Sequence, residues 1–264
     1  MFRRAREVSP YEEKIRFRCN VCGSVCIVPE ETLQREVSSC VRCGSTVRTR
    51  GIVHLLTTEL FGRSMTIAEM PERRDLVGIG LSDSENYATR LSRKLGYVNT
   101  FPHKEPRFDI AASPQHLTRR LDFIIASEVF DHTPPPVSRA FVNARQLLRP
   151  SGILVFSAPY SLEPDTREYF PELCDYRLDE VDGNWRMENR TALGQRQVFT
   201  DLVFDGRSGS APEMRLLSRD SLIRECVNAG FAAVRIADEP QPDYGIVWPE
   251  PYSIPMVAYA MLDR

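Results

Sequence analysis

The stretch LDFIIASEVFDHTPPPVSRAFVNARQLLRPSGILVFSAPY, residues 121 to 160, decides the fold of this chain. It begins with an unbroken apolar run at 123–126, which is typical of a strand covered on both faces of a parallel sheet. After three turn-forming prolines, apolar residues recur at helical spacing, at Val137, Phe141, Ala144, Leu147 and Leu148. Residues 149–152, RPSG, end that helix, and 153–156 is the next buried strand. The stretch therefore predicts a β-α-β unit.

Polar side chains follow the first of these strands directly. Ser127, Glu128 and Asp131 stand where the apolar run stops. Because α/β sheets bind ligands at the carboxyl ends of their strands, we expect these residues to border a ligand crevice.

Two motifs in the stretch resemble a known family. SEVFDH (127–132) and LLRPSG (147–152) are similar to the second half of class I S-adenosylmethionine-dependent methyltransferases, which carry an "SEVFEH"-like turn and an "LKPGG" turn. The resemblance implies an α/β fold with a Rossmann-like sheet, helices on both faces of the sheet, and S-adenosylmethionine as cofactor. It implies no particular substrate.

Composition and charge limit the class of protein. The chain has 264 residues, 42% hydrophobic and 27% charged, enough to bury a full core. A net charge of -2 gives no overall attraction to nucleic acid or to an anionic membrane. No apolar run is long enough to cross a bilayer, and the start lacks the apolar middle of a signal peptide. We expect a cytoplasmic protein without a membrane partner; its oligomeric state stays open.

Four cysteines form two paired units. Cys19 and Cys22 lie in RCNVCG, Cys40 and Cys43 in SCVRCG, and 17 residues separate the pairs. This spacing is typical of a closed zinc site with four thiolate ligands. We predict a structural zinc ribbon over residues 1–50; free buried thiols or a redox pair are the alternative.

Arginines crowd the same segment, at Arg16, Arg18, Arg35, Arg42, Arg48 and Arg50. They either grip RNA or a phosphorylated substrate, or form a solvated surface balanced by glutamates. No aromatic residues alternate with them for base stacking, which favours the solvated surface. A helical pattern from Ile52 to Leu60 then predicts a connecting helix within 51–70, followed by a methyltransferase-like domain over 71–264.

The resemblance assigns the cofactor residues. LVGIG (76–80) occupies the place of the family's first strand and glycine loop, with Gly78 and Gly80 present, Ser82 at the third glycine and Leu76 at the acidic position. Asp83 either caps a helix running through Tyr87, Leu91 and Leu95 or holds the methionine ammonium. The second strand, Tyr97 to Phe101, carries the neutral Asn99 where relatives bind ribose with an acid. The resemblance implies that Asp109, in a third strand at 108–110, meets the adenine amino group. Ser127 and Glu128 complete the set.

Residues 161–207 are too long and polar for a simple connection and predict a lid insertion. Parts of it resemble a bacterial subgroup of zinc-ribbon methyltransferase-like proteins carrying EHFP and FHGG. Tyr169 and Asp205 stand at those histidine positions here. Beyond the lid we expect a capped helix at 218–230 and closing strands at 231–236 and 256–262. Trp248 and Tyr252 either wall the pocket or simply pack.

Methyl transfer requires the donor and acceptor to be held in line, with a base when the acceptor is a hydroxyl. His132 is the first candidate base, with Asp131 and Glu128 to orient it and Tyr169 to line the acceptor pocket. The Asn-Pro-Pro-Tyr motif of amino-group methylation does not occur, which favours an oxygen acceptor on a small metabolite or sugar. Two other functions stay open: an RNA-modifying methyltransferase that uses the ribbon for substrate binding, and a methyltransferase fold that binds a ligand without transferring methyl groups.

Overall fold

The computed structural model describes residues 14–112, 119–204 and 211–261. The amino-terminal part contains the antiparallel strands β1 (Lys14–Arg18) and β2 (Val25–Pro29), a 3-10 turn at Glu30–Thr32, and helix α1 (Val47–Phe61). Thr46 and Thr49 form a capping box at the start of α1, each side chain accepting from the other's backbone N–H. Gly62 ends the helix in the left-handed conformation with φ 71.

The remaining elements follow in chain order. They are β3 (Arg73–Leu81), α2 (Glu85–Leu91), β4 (Leu95–Thr100), β5 (Leu121–Ser127), α3 (Ser138–Leu147), β6 (Leu148–Ser157), β7 (Tyr160–Ser161), β8 (Arg167–Glu168), β9 (Asp175–Val181), β10 (Asn184–Arg190), β11 (Arg196–Phe199), β12 (Arg215–Ser218), α4 (Arg219–Asn228), β13 (Ala233–Ile236) and β14 (Met256–Tyr259).

Within the described residues, the central sheet has six strands in the order β13-β14-β6-β5-β3-β4. Strands β4, β3, β5 and β6 pair in parallel, whereas β14 is antiparallel to both β6 and β13. The predicted fold class, an α/β fold with a Rossmann-like sheet, is confirmed.

Strand β5 is buried on both faces, as its unbroken apolar run predicts. Phe123 and Ile125 pack in a cluster with residues of α1 and α2. Ile124 and Ala126 pack in a second cluster with residues of α3 and α4. Helices therefore cover both faces of the sheet. None of the helices in the described ranges has the length and apolar character needed to cross a membrane.

The core of the ribbon is continuous with the core of the sheet. Phe17, Val21 and Leu33 belong to the same buried cluster as Leu55 of α1 and Phe123 of β5. Helix α1 begins at Val47, five residues before the predicted start of its apolar pattern. The predicted connecting helix therefore also packs on the sheet as one of its covering helices.

Two local expectations are wrong. The helix after β3 ends at Leu91, and Leu95 starts β4, because the chain turns at 92–94 with the N–H of Lys94 bonded to the carbonyl of Leu91. Residues 108–110 do not form a third strand. Instead, the side-chain amide of Asn143 donates to the carbonyls of Ile110 and Ala112, at 2.7 and 2.9 Å, and takes the place of a ladder partner.

The insertion after β6 builds two small sheets, β11-β10-β9 and β7-β12-β8. Their common core contains Phe170, Leu173, Met187 and Met214. The fully buried guanidinium of Arg215 joins them to the segment after β5, donating to the carbonyls of Phe130 and Thr133 at 2.6 and 2.5 Å and pairing with Glu168 at 2.7 Å. Trp248 packs on α1, where a Cβ at Gly51 would lie 2.9 Å from its ring, and it does not line the large cavity described below.

Replacing Arg215 by Met should lower the free energy of unfolding by about 3 kcal/mol or more, because it leaves two buried carbonyls and Glu168 without their cation. The matched control is Arg224→Met, which removes a half-exposed guanidinium that binds Asp165, Ser221 and the carbonyl of Pro164 and should cost less than about 1 kcal/mol. Urea denaturation measures both. Equal losses for the two variants would contradict the anchoring role of Arg215.

Candidate functional site

The tips of β3 and β5 border one cavity of about 910 Å³. Ser82 and Asp83 contribute from the β3 side, and the β5 side contributes Ser127, Glu128, Asp131 and His132. The two strands are parallel neighbours, so their carboxyl ends open at the same edge of the sheet. Asp109 also lines this cavity, whereas Gly78, Gly80 and Asn99 do not.

The glycines of β3 make room for side chains of this chain. A Cβ at Gly80 would lie 2.0 Å from the hydroxyl of Tyr97 and 2.1 Å from Asp83 Oδ2. That hydroxyl donates to Asp83 Oδ2 at 2.7 Å, and burial together with the Asp83 charge raises the pKa of Tyr97. Asp83 therefore does not cap α2, whose N-cap position is Ser84. Similarly, a Cβ at Gly78 would lie 2.4 Å from the ring of Phe123.

Asn99 shapes the turn after β3. Its Oδ1 accepts from the N–H of Asp83, and its Nδ2 donates to the carbonyl of Asp83, both at 2.9 Å. Ser82 adopts the left-handed conformation with φ 59, which is ordinarily a glycine's. The side-chain amide of Asn99 thus binds the backbone of Asp83. The resemblance instead implies that this side chain contacts the ribose.

The tip of β5 is held by two arginines of the ribbon. Arg35 forms a bidentate pair with Glu128, with Nη2–Oε1 2.7 Å and Nη1–Oε2 3.0 Å. Arg48 donates to Ser127 and binds both oxygens of Glu36, at 2.7 and 2.8 Å. Burial alone would raise the pKa of Glu128, but Arg35 and Arg48 outweigh it and lower that pKa. The expectation that Glu128 orients His132 is not met, since its carboxylate is bound to Arg35.

The expectation of a solvated arginine surface is wrong for three of the six arginines. The side chains of Arg35 and Arg48 are only 20% and 10% exposed. Arg50 is fully buried and donates to Ser39, Ser45 and the carbonyl of Gly245. The sequence shows that arginines are present, but their partners lie too far along the chain to be identified from it.

Asp131 and His132 form a close pair beside the cavity. His132 Nδ1 lies 2.8 Å from the carbonyl of Ala211, which can only accept, so Nδ1 carries a proton. Nε2 faces Asp131 Oδ2 at 3.3 Å. Burial raises the pKa of Asp131 to about 6, although His132 opposes that shift. Asp131 Oδ1 is buried and has no hydrogen-bond partner within the described part of the chain.

Both ring nitrogens of His132 are thus engaged within the protein. Within this pair, the atom that remains without a partner is Oδ1 of Asp131. The sequence had predicted the opposite roles, with Asp131 orienting His132 as the base. Tyr169 lies elsewhere: it lines a second cavity of about 330 Å³ with Glu168 and Asp201, not the large one. Asp205 falls outside the described residues.

The four cysteine sulfurs of Cys19, Cys22, Cys40 and Cys43 lie within 4.8 Å of one another. The Cys19–Cys43 and Cys22–Cys40 sulfur distances are 3.7 and 3.6 Å. Four tetrahedral Zn–S bonds of about 2.3 Å place sulfurs about 3.8 Å apart, so this donor set fits zinc. Gly23 and Gly44, after each pair, have φ 79 and 69, the left-handed conformation in which each pair's turn closes.

No protein-family model matches the sequence, and neither does any curated protein. Similar solved structures include a Burkholderia thailandensis 1,6-didemethyltoxoflavin-N1-methyltransferase bound to its substrate and S-adenosylhomocysteine (13% identity, 80% of this chain, 78% of that chain, TM-score 0.42). The amino pentose methyltransferase CalS10 from Micromonospora echinaspora is another (11%, 83%, 93%, TM-score 0.43). The CurJ carbon methyltransferase is a third (18% identity, TM-score 0.47); the match covers 83% of this chain and 56% of that one. These values are too low to extend any of these activities to this chain.

Metal analysis of the purified chain should give about one zinc per chain. Cys40→Ser should lose most of this zinc, because it removes one of the four ligands that the structure gathers. Cys174→Ser, which alters an exposed free thiol, is the matched control and should keep it. Elemental analysis by mass spectrometry reads both; wild-type protein with far less than one zinc would contradict the assignment.

The carboxyl of Asp131 should titrate at about pH 6 when followed by carbon-13 NMR. Because the folded state holds this proton more tightly than the unfolded chain, the contribution of Asp131 to stability should fall as pH rises from about 4 to about 6. His132→Gln should raise the pKa of Asp131 further, since it removes the neighbour that lowers it. Titration near the ordinary value of 3.8 would contradict this environment.

Proposed function

We propose that this chain is an S-adenosylmethionine-dependent methyltransferase that methylates an oxygen of a small metabolite or sugar, with zinc as a structural element of its ribbon. The observation that carries the proposal is the single cavity between the β3 and β5 tips, bordered by a buried carboxylate with an unused acceptor atom. Its volume of about 910 Å³ lies in the range of small-molecule sites.

The lining suits a cationic ligand. Four carboxylates stand around the cavity without a lysine or arginine partner in the described ranges: Glu85, Asp109, Asp131 and Glu213. Lys104 is the cavity's one lysine among the described residues. A sulfonium and an ammonium would be attracted to such a lining. S-adenosylmethionine carries both groups, so the residues present fit it.

We assign Asp109 and the turn at 82–84 to the cofactor. Asn99, Gly78 and Gly80 act through that turn: the first bonds to its backbone, and the glycines leave space for the Asp83–Tyr97 pair and for Phe123. Ser127 and Glu128 contribute the neighbouring wall, with their polar atoms bound to the ribbon.

The chemistry divides between cofactor and protein. S-adenosylmethionine, when bound, supplies an electrophilic methyl group on sulfur. The chain's part is to hold the acceptor hydroxyl in line and to accept its proton, and Asp131 is the group best suited for this. A carboxylate with a pKa of about 6 is ionised at neutral pH and more basic than an ordinary one. His132 is then a positioning residue, which lies 3.3 Å from Oδ2 of Asp131 and does not occupy the buried Oδ1.

An RNA substrate is less consistent with the structure, because Arg35, Arg48 and Arg50 are turned inward and engaged. A fold that binds without transferring methyl groups is favoured by one observation. Asn99, at the ribose position, has both polar side-chain atoms bonded to the backbone of Asp83.

Calorimetry with S-adenosylmethionine and S-adenosylhomocysteine tests the proposal first. Transfer of a labelled methyl group to a panel of hydroxyl-bearing metabolites and sugars, with total RNA as a further acceptor, tests it next. Asp131→Asn should lower kcat by about 10²- to 10⁴-fold while donor affinity stays close to wild type. The kcat/KM of the wild type should rise with pH through about 6 and then level off, as Asp131 loses its proton.

The matched control is Asp165→Asn, which changes an exposed carboxylate and should leave the rate unaltered. Absence of donor binding at millimolar concentration would refute the enzyme. Binding without transfer to any acceptor would favour the fold that does not methylate. Methylation of RNA alone, with affinity falling steeply as salt is added, would favour the RNA enzyme.

A further inference from the structure

The ribbon carries the four cysteines, and it also lines the large cavity. Five residues of its described part, 14–50, border the cavity: Glu36, Gly44, Thr46, Arg48 and Thr49. They flank the second cysteine pair on both sides, and Gly44 directly follows Cys43. A Cβ on Gly44 would come no closer to another atom than 3.9 Å. The backbone there has open space beside it.

The second cysteine pair sits in a loop that is closed at its base. The guanidinium of Arg48 binds both oxygens of Glu36, twelve residues earlier, at 2.7 and 2.8 Å. Within the loop, the carbonyl of Ser45 accepts from the N–H groups of Ser39 and Cys40, both at 3.2 Å. Because these bonds span the two cysteines, the conformation of the pair sets where Arg48 can lie.

Arg48 and its neighbour Arg35 connect this loop to β5. Arg48 donates to Ser127, and Arg35 binds Glu128 through two hydrogen bonds. Arg35 also donates to the carbonyl of Ser253, at 2.7 Å. The side chain of Glu128 is 10% exposed, so its charge depends on these cations for compensation. Glu128 adopts a left-handed conformation, φ 59, which needs support from its surroundings.

We propose that the four-cysteine module is one wall of the ligand site, and that metal bound at its cysteines sets the ligand affinity of the cavity through the hold of Arg35 and Arg48 on the β5 tip. The identity of the ligand, S-adenosylmethionine, rests on the proposed function. The coupling between the metal site and the cavity does not rest on the proposed function, because it concerns only how the ribbon holds the β5 tip.

The chain offers a matched control. Arg18 is also a ribbon residue paired with a residue outside the ribbon, Glu69, at 2.6 Å. That pair is about half-exposed, and neither residue lines the cavity. Arg18→Met and Arg35→Met thus each remove one guanidinium from the ribbon. The Arg18 pair is remote from the cavity, whereas the partner of Arg35, Glu128, lines it.

The first test uses the full chain loaded with zinc and S-adenosylhomocysteine as the probe. Arg35→Met and Arg48→Met should keep about one zinc per chain and weaken binding by about tenfold or more in calorimetry, whereas Arg18→Met should stay within about twofold of wild type. Unchanged affinity in Arg35→Met and Arg48→Met, or an equal loss in Arg18→Met, would overturn the proposal.

The second test needs no ligand and separates this proposal from the proposed function. Hydrogen exchange is compared between the wild type, Arg18→Met and Arg35→Met, and between the zinc-loaded and chelated chains. Faster exchange at residues 127–133 in Arg35→Met, with α4 still protected, would support the proposal that the ribbon holds the β5 tip. The same change in the chelated chain would support its dependence on metal. Both results hold even if no S-adenosylhomocysteine binds. Unaltered exchange at 127–133 in both overturns it. If chelation unfolds the whole chain, the Arg35→Met comparison decides.

Discussion

The structure depends on the pairing of buried charges between the ribbon and the tip of β5. Arg35 and Arg48 place two largely buried guanidiniums against the buried Glu128 and Ser127, and both also bind the half-exposed Glu36. A charge in such a place is tolerated only when its partner is held in the right geometry, and removing one member leaves the other uncompensated. The pairing therefore fixes the position of the ribbon and the backbone of the tip, and with them one side of the cavity.

The fold could be predicted because its signals are local. The apolar run at 123–126 is unbroken because that strand is buried on both faces. The helical spacing after it arises because α3 is buried on one face only. The errors arose where tertiary contacts override local pattern. Leu95 matches the spacing of a helix, but it is the first residue of β4. Residues 108–110 match a strand, but the side chain of Asn143 binds the carbonyls of Ile110 and Ala112 in place of a neighbouring strand.

The site was predictable in its location and not in its roles. Parallel strands end at one edge of a sheet, so polar residues after two of them had to approach each other. What each residue does there depends on contacts between distant parts of the chain. Arg35 and Glu128 are 93 positions apart, and His132 and Ala211 are 79. For this reason the sequence indicated His132 as the base, whereas the structure engages both of its ring nitrogens and leaves an oxygen of Asp131 unused.

The continuous core beneath the ribbon has a consequence for how this chain can be divided. Phe17 lies against Gly245, where a Cβ would come within 2.6 Å of its ring, and it shares one apolar cluster with α1 and β5. The ribbon is therefore not a portable unit. Excising it would expose the apolar side of α1 to water, and grafting it onto another protein would leave Phe17 and Val21 without their packing partners. Gain or loss of such a module by recombination would require the sheet beneath it to change at the same time.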